Sequence, residues 1–217
     1  MRARRPGQHA EDGWGMQMES RTGEGESDPS SIVEGQLRQC YGRVVYSHKT
    51  HEKCADILLA RLSAVKFWQI VLSALATVGF IAAVLGVGRP ATIAGAALSA
   101  ALLALNTYTK DYDLGELAQK HRQAGAELWL IREEYLSLLT DMRAGTKPIG
   151  EVQTERDELL ESLHSVYSGA PSTTYQAYKK AQEALQHKQD MTFRDEEIDE
   201  LLPSELRRSS GGLIATE

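Results

Sequence analysis

Two uncharged stretches, separated by a single arginine, limit what this chain can fold into. Residues 67–88 read FWQIVLSALATVGFIAAVLGVG, 22 residues without a charge, and residues 90–109 read PATIAGAALSAALLALNTYT, 20 more. Between Lys66 and Lys110 only Arg89 is charged. A helix rising about 1.5 Å per residue crosses a hydrocarbon core of about 30 Å in some 20 residues, so each stretch is long enough to span a bilayer. Two such helices are hard to bury in the core of a 217-residue soluble protein. The average composition, 42% apolar with a net charge of −6, hides this because the apolar residues are unevenly spread.

The spans are unequal. Gln69–Val87 holds ten Leu, Ile, Val and Phe residues and Pro90–Asn106 only five. At about −0.3 to −0.6 kcal/mol each, the second span inserts less readily and is expected to enter as half of a hairpin. The connector GVGRP is too short to hold a domain, and Pro90 suits a helix start. Residues 47–66 carry four cations and residues 110–127 three, against Arg89 alone in the connector. The positive-inside rule then places both termini in the cytoplasm, with Phe67, Trp68 and Tyr108 at one interface. Cys40 and Cys54 fall on that reducing side and are expected as free thiols. No cleavable signal is visible in the opening MRARRPGQHA.

Residues 1–29, rich in Gly, Glu, Ser and Pro, are expected to be disordered. Order is expected from SSIVEG, where Ser31 and Glu34 have capping-box spacing. A 4-3 repeat then runs to the membrane through Leu37, Tyr41, Val44, His48, His51, Ala55, Leu58, Leu62 and Val65. With no proline between Ser31 and Val87, one helix of about 57 residues is predicted there. A second stripe leaves the membrane through Leu114, Leu117, His121, Ala124, Leu128, Ile131, Tyr135 and Leu138. The predicted architecture is an all-α membrane protein: a two-transmembrane hairpin (67–88, 90–109) continued into an antiparallel cytoplasmic stalk (31–66, 110–143). Gly145 and Pro148 close the second stalk helix. Short helices follow in 149–205: about Gly150 to Tyr167, with Val152, Leu159, Leu163 and Val166 on its apolar side; Thr173 to about Gln186, carrying Tyr175, Tyr178, Ala181 and Leu185; and one opened by Thr192 and stopped at Pro203. They are expected to fold back along the stalk, leaving a flexible tail at 206–217.

The only exceptions to the apolar stripes are histidines. His48, His51 and Cys54 have the look of a metal site, but on one helix they span roughly 120° of its surface and need help from another element. Pairing residue 66−n with 110+n puts His121 opposite Ala55, one turn from His51. The spacing matches no zinc signature, and no metal or cofactor is expected. His48, His51 and His121 read foremost as polar seam residues fixing register, with a pH- or ligand-sensitive latch as the second reading. Neither a phosphate loop, a nucleophile elbow nor a carboxylate pair is present, so no enzyme is expected, and no basic aromatic patch points to nucleic acid.

The spans carry small-residue rows, Ala91, Gly95 and Ser99, then Ala96, Ala100 and Ala104, more than one partner helix requires, which points to oligomers. Thr92, Ser99 and Asn106 share a face at seven-residue steps, and Gln69, Ser73 and Thr77 form a similar row. These groups either hydrogen-bond between helices or line a weakly polar, uncharged pore in a homo-oligomer.

With YSHKTHEKCADIL before the hairpin, KDYDLGELAQKHRQAGAELWLIREEYLSLLTDM after it and a closing EEIDELLP, the chain resembles the SLATT family over about residues 31–205. These are two-transmembrane effector domains of bacterial nucleotide-second-messenger conflict systems. The resemblance implies a membrane effector that permeabilises the inner membrane after a partner senses infection, as a nucleotide-signal-producing enzyme or a reverse transcriptase encoded nearby. It supplies no catalytic residues. A membrane-anchored adaptor, whose stalk recruits partners without a pore, is the alternative, and a small metal-regulated sensor a third.

Overall fold

The computed structural model describes residues 29–86 and 88–208. The disorder expected of 1–29 and the flexible tail expected of 206–217 fall, but for Pro29 and residues 206–208, outside the described residues. Helix α1 runs unbroken over Pro29–Val84, 56 residues and about 84 Å. Nothing stops it, because no second proline occurs before Pro90 and its three glycines stand singly. It opens two residues ahead of Ser31, since Pro29 is preset for the first helical turn and has no N–H to lose there. It ends in the connector, where Gly86 (φ 74°) and Gly88 (φ 105°) adopt backbone that L side chains resist. Pro90 then occupies the first turn of α2, Arg89–Asp111.

The return path is broken once. Tyr112 and Asp113 separate α2 from α3, Leu114–Ala144, and Asp113 Oδ1 accepts the Glu116 N–H at 2.8 Å to cap the new helix. Gly145, left-handed at φ 68°, closes α3 by donating to Asp141 and Met142 carbonyls. Helices α4 (Ile149–Gly169), α5 (Tyr175–Gln186) and α6 (Asp195–Leu201) follow, then a 3-10 turn at Ser204–Leu206. Among the described residues there is no strand.

Contacts between α1 and α3 descend one helix as they ascend the other: Leu62 approaches Gly115, His51 meets His121 and His48 meets Gly125. Farthest from the spans, Val33, Leu37, Cys40 and Val44 of α1 pack with Leu128, Ile131, Tyr135 and Leu138 of α3. Val152 and Leu159 of α4 complete this core, with Leu163 and Val166 half-buried beside it. A second, smaller cluster holds Ala55, Leu58 and Ala118 nearer the membrane.

Three details differ from the sequence reading. Leu117 is exposed and Ala118 is buried, because the cluster with Ala55 and Leu58 takes the smaller side chain on the inside. In α5, Ala177, Ala181 and Ala184 face inward, whereas Tyr175 and Tyr178 are exposed. Alanines let α5 approach α1 closely, which moves Tyr178 to the edge, its ring centroid 6.0 Å from that of Tyr46. And α6 begins at Asp195, flanked by Arg194, rather than at Thr192, whose N–H is spent on the Gln189 carbonyl in a turn.

The spans behave otherwise. No residue of α2 is buried, and in α1 burial ends at Leu58. Ile70, Val78, Phe80, Ile93 and Leu103 are each more than 60% exposed. The two helices meet through Ala91, Gly95, Leu98, Leu102 and Leu105 of α2, while Ala96, Ala100 and Ala104 look away. The tightest point is glycine on glycine: a Cβ on Gly79 would stand 3.1 Å from Gly95 Cα, but one on Gly95 would find Gly79 no nearer than 3.5 Å. Gly79→Ala is therefore expected to push the spans apart and cost on the order of 1–3 kcal/mol, whereas Gly95→Ala is accommodated. Thermal melts of the detergent-solubilised variants check the asymmetry, and equal effects would contradict it.

Candidate functional site

Between the two stalk clusters lies a polar layer. His48, His51 and His121 are each at most 6% exposed, on positions where both seams otherwise demand apolar side chains. His51 Nδ1 and His121 Nδ1 are 3.0 Å apart with ring centroids at 5.0 Å. One nitrogen must donate and the other accept, so when both rings are neutral they hold opposite tautomers. His48 Nδ1 donates to the Gly125 carbonyl at 2.8 Å, and its Nε2 lies 3.6 Å from Glu52 Oε1. The layer stays thin because Ala124 and Gly125 face it from α3. Burial, then the nearby His121 and His48, lowers the His51 pKa to about 4, and burial lowers that of His121 as well. The antiparallel pairing places His121 opposite Ala55, one turn from His51, and it is His51 that His121 meets. Among the described residues no three His, Cys, Asp or Glu side chains are arranged to hold a metal ion.

One edge of the layer is open. A cleft between α1 and the α4–α5 loop reaches His51 past Tyr46, Ser47, Tyr167 and Tyr178. Its rim is fixed by the 2.7 Å bond between Ser47 Oγ and Tyr167 OH and by Gln186 Nε2 donating to Tyr46 OH at 2.8 Å. Beside the layer, Lys49 is only 7% exposed yet charged, held between Glu52 at 2.9 Å and Asp190 at 2.8 Å. Burial opposes that charge, but the two carboxylates outweigh it and raise the Lys49 pKa, while the same bond lowers that of Asp190. Sequence reading missed this tie. The Lys49–Glu52 spacing signalled half of it, but Asp190 is 141 residues away and nothing local marks it.

In the spans, the candidate polar residues part company. Gln69 Nε2 donates to Asn106 Oδ1 at 2.9 Å and to Thr109 Oγ1 at 3.2 Å, tying α1 to α2 within one chain. Thr77 Oγ1 donates to its own helix at Ser73 O, 2.9 Å away. Ser73 is exposed beside Gln69 and Asn106 in a groove between the spans. Thr92 and Ser99 are exposed on the surface of α2.

The histidine layer has a signed pH consequence. Folding favours the neutral imidazole of His51, so as pH falls below the ordinary 6.5 the unfolded chain takes up the proton first. Stability is full above pH 6.5 and is lost progressively down to about pH 4, by at most about 3 kcal/mol. Chemical denaturation of the detergent-solubilised protein between pH 7.5 and 4.5 should show that decline, and His51→Leu should flatten it. A decline unchanged in the variant would move its origin to other groups.

No curated protein and no solved structure matches the chain. Residues 33–197 match the model of SMODS and SLOG-associating 2TM effector domain family 4, a span that takes in both apolar helices, the stalk, α4, α5 and the first residues of α6. The chain, all-helical with two exposed apolar helices beside a buried seam, therefore belongs to that family of two-transmembrane effector domains.

Proposed function

We propose that this protein is a membrane effector of a bacterial anti-phage conflict system that self-associates in the inner membrane and permeabilises it on receiving a signal. In this reading both termini and an antiparallel stalk lie in the cytoplasm, as the cation bias of residues 47–66 and 110–127 favours. A partner encoded nearby supplies the signal, as a nucleotide-producing enzyme or a reverse transcriptase. The observation that carries the reading is the face of α2 bearing Thr92 and Ser99. It is polar, uncharged and exposed on the flank of the α1 contact, so a single hairpin leaves it in lipid and an oligomer gives it neighbours or a lumen. The histidine layer is then the stalk switch: it interrupts the seam between two apolar clusters, and repacking it alters how the stalk joins the spans.

One observation favours a second reading, a membrane-anchored adaptor. Asn106, expected on the same face as Ser99, already has its partner in Gln69 of the same chain, so part of the polar row is satisfied without any oligomer.

Leakage of potassium and of a small dye from liposomes containing the purified protein separates the two. Thr92→Leu with Ser99→Leu leaves the Gly79–Gly95 contact and the Gln69–Asn106 bond in place. The pair is expected to reduce leakage at least about tenfold, the scale of a barrier change above about 1.4 kcal/mol, with insertion unchanged. Leakage absent from the parent under every activating condition supports the adaptor, and leakage that persists in the variant takes the Thr92 and Ser99 face out of the leak path.

A further inference from the structure

The closing DEEIDEL helix has no role in the hairpin or the seam. In α6, Asp195–Leu201, five of seven residues are acidic and none is basic. Ile198, Leu201 and Leu202 fall on one side by helical spacing, and Leu201 is 78% exposed. The helix rests on no other element over any length. Its root is fixed all the same: Asp190 bonds buried Lys49 of α1 at 2.8 Å, and Met191 Sδ accepts from Arg132 Nη1 of α3 at 3.7 Å. Gln189 (φ 50°) and Met191 (φ 71°) turn the chain through left-handed backbone there.

The same chain carries a surface with the opposite character. Near the tip of the stalk, Tyr41, Leu139 and Ala144 floor a groove rimmed by Arg38 and Arg143. These arginines are 71% and 82% exposed along their side chains and share a single carboxylate, Glu34, at 3.5 and 3.7 Å. Two cations against one anion leave the rim net positive. Arg38 lies 11 residues from Lys49, and Arg143 lies 11 from Arg132, which on a helix is three turns plus only about 20°. Groove and root of α6 thus share one face of the α1–α3 pair, about 16 Å apart along it. Although the groove is that near, α6 stands clear of its own.

We propose that the groove receives α6 of a second copy of this chain, Ile198, Leu201 and Leu202 lying on Tyr41 and Leu139 and the acidic side meeting Arg38 and Arg143. Helix and groove are different patches, so the contact is head-to-tail and repeats from copy to copy, closing a ring or running on as a chain. It adds a stalk interface to the self-association invoked above and needs copies to meet in one membrane, but it does not need a pore.

The test uses full-length protein in detergent, as a mixture of two differently tagged populations, one with Leu201→p-benzoylphenylalanine. Illumination should join differently tagged copies, with the cross-link mapping to Tyr41 or Leu139. Arg38→Glu with Arg143→Glu in the acceptor should lower the yield at least about fivefold, as like-charge juxtaposition at an interface does. Glu197→Lys with Glu200→Lys in the donor should restore it. Cross-links confined to single chains, mapped elsewhere, absent, or not rescued by the charge swap would overturn the proposal. Liposome leakage of the same variants reports the pore separately: oligomers held by the spans alone still leak after the α6 cross-link is lost.

Discussion

The chain folds in two solvents, and everything else follows from that division. Burial in α1 stops at Leu58, and α2 has no buried residue, so the spans gain nothing from an aqueous core within the chain. What holds them together is close backbone approach at Gly79 and Gly95 and the hydrogen bonds of Gln69 to Asn106 and Thr109. In hydrocarbon such packing and polar contacts are the available adhesives, since lipid tails are as apolar as leucine. Outside the membrane the ordinary hydrophobic seam takes over. An unbroken 56-residue helix belongs to both regimes, whereas the return path is interrupted at Tyr112 and Asp113. The stalk is thus joined to the first span by continuous helix and to the second across a break.

The stalk seam is itself divided. Its outer cluster is built from Leu37, Val44, Leu128, Tyr135 and Leu138, large side chains in close packing; its inner one has Ala55, Leu58 and Ala118. Between them the His51–His121 bond replaces apolar contact with one directional interaction that exists only when one proton is shared between facing nitrogens. A buried group of this kind adds little net stability when satisfied and costs a great deal when not. It fixes register, because sliding either helix by a turn leaves two imidazoles unpaired. A cleft past Tyr46 and Tyr178 reaches it from outside.

Much of this was legible in the sequence because helical periodicity and hydropathy are local. The two stripes gave Leu37, Val44, His48, His51, Ala55 and Leu58 on one helix, and His121, Ala124, Leu128, Ile131, Tyr135 and Leu138 on the other, all buried. Their family was readable from the motifs around the hairpin and matches over residues 33–197. What periodicity could not supply were choices made by distance between elements. Ala118 displaced Leu117 and the alanines of α5 displaced its tyrosines because close approach selects small side chains over apolar ones. Cys40 and Cys54 were assigned by compartment and turned out to be seam residues. The Lys49–Asp190 pair required two ends of the chain to meet, which no window on the sequence contains.

That pair also explains why the last segment belongs to the stalk. A lysine at 7% exposure loses most of its hydration, and removing either carboxylate partner would leave a charge that water cannot fully compensate. The loop before α6 can leave Lys49 only by giving up one of its two carboxylates, Glu52 alone remaining at 2.9 Å, and left-handed backbone at Gln189 and Met191 is tolerated in return. The consequence is mechanical: the apolar and acidic face of α6 is presented at a fixed height on the stalk, beside the same histidine layer that divides the seam. A partner or a neighbouring copy that takes hold of α6 pulls on Asp190. Asp190 in turn pairs with Lys49, the residue next to His48 in α1, so two contacts separate the root of α6 from the histidine layer.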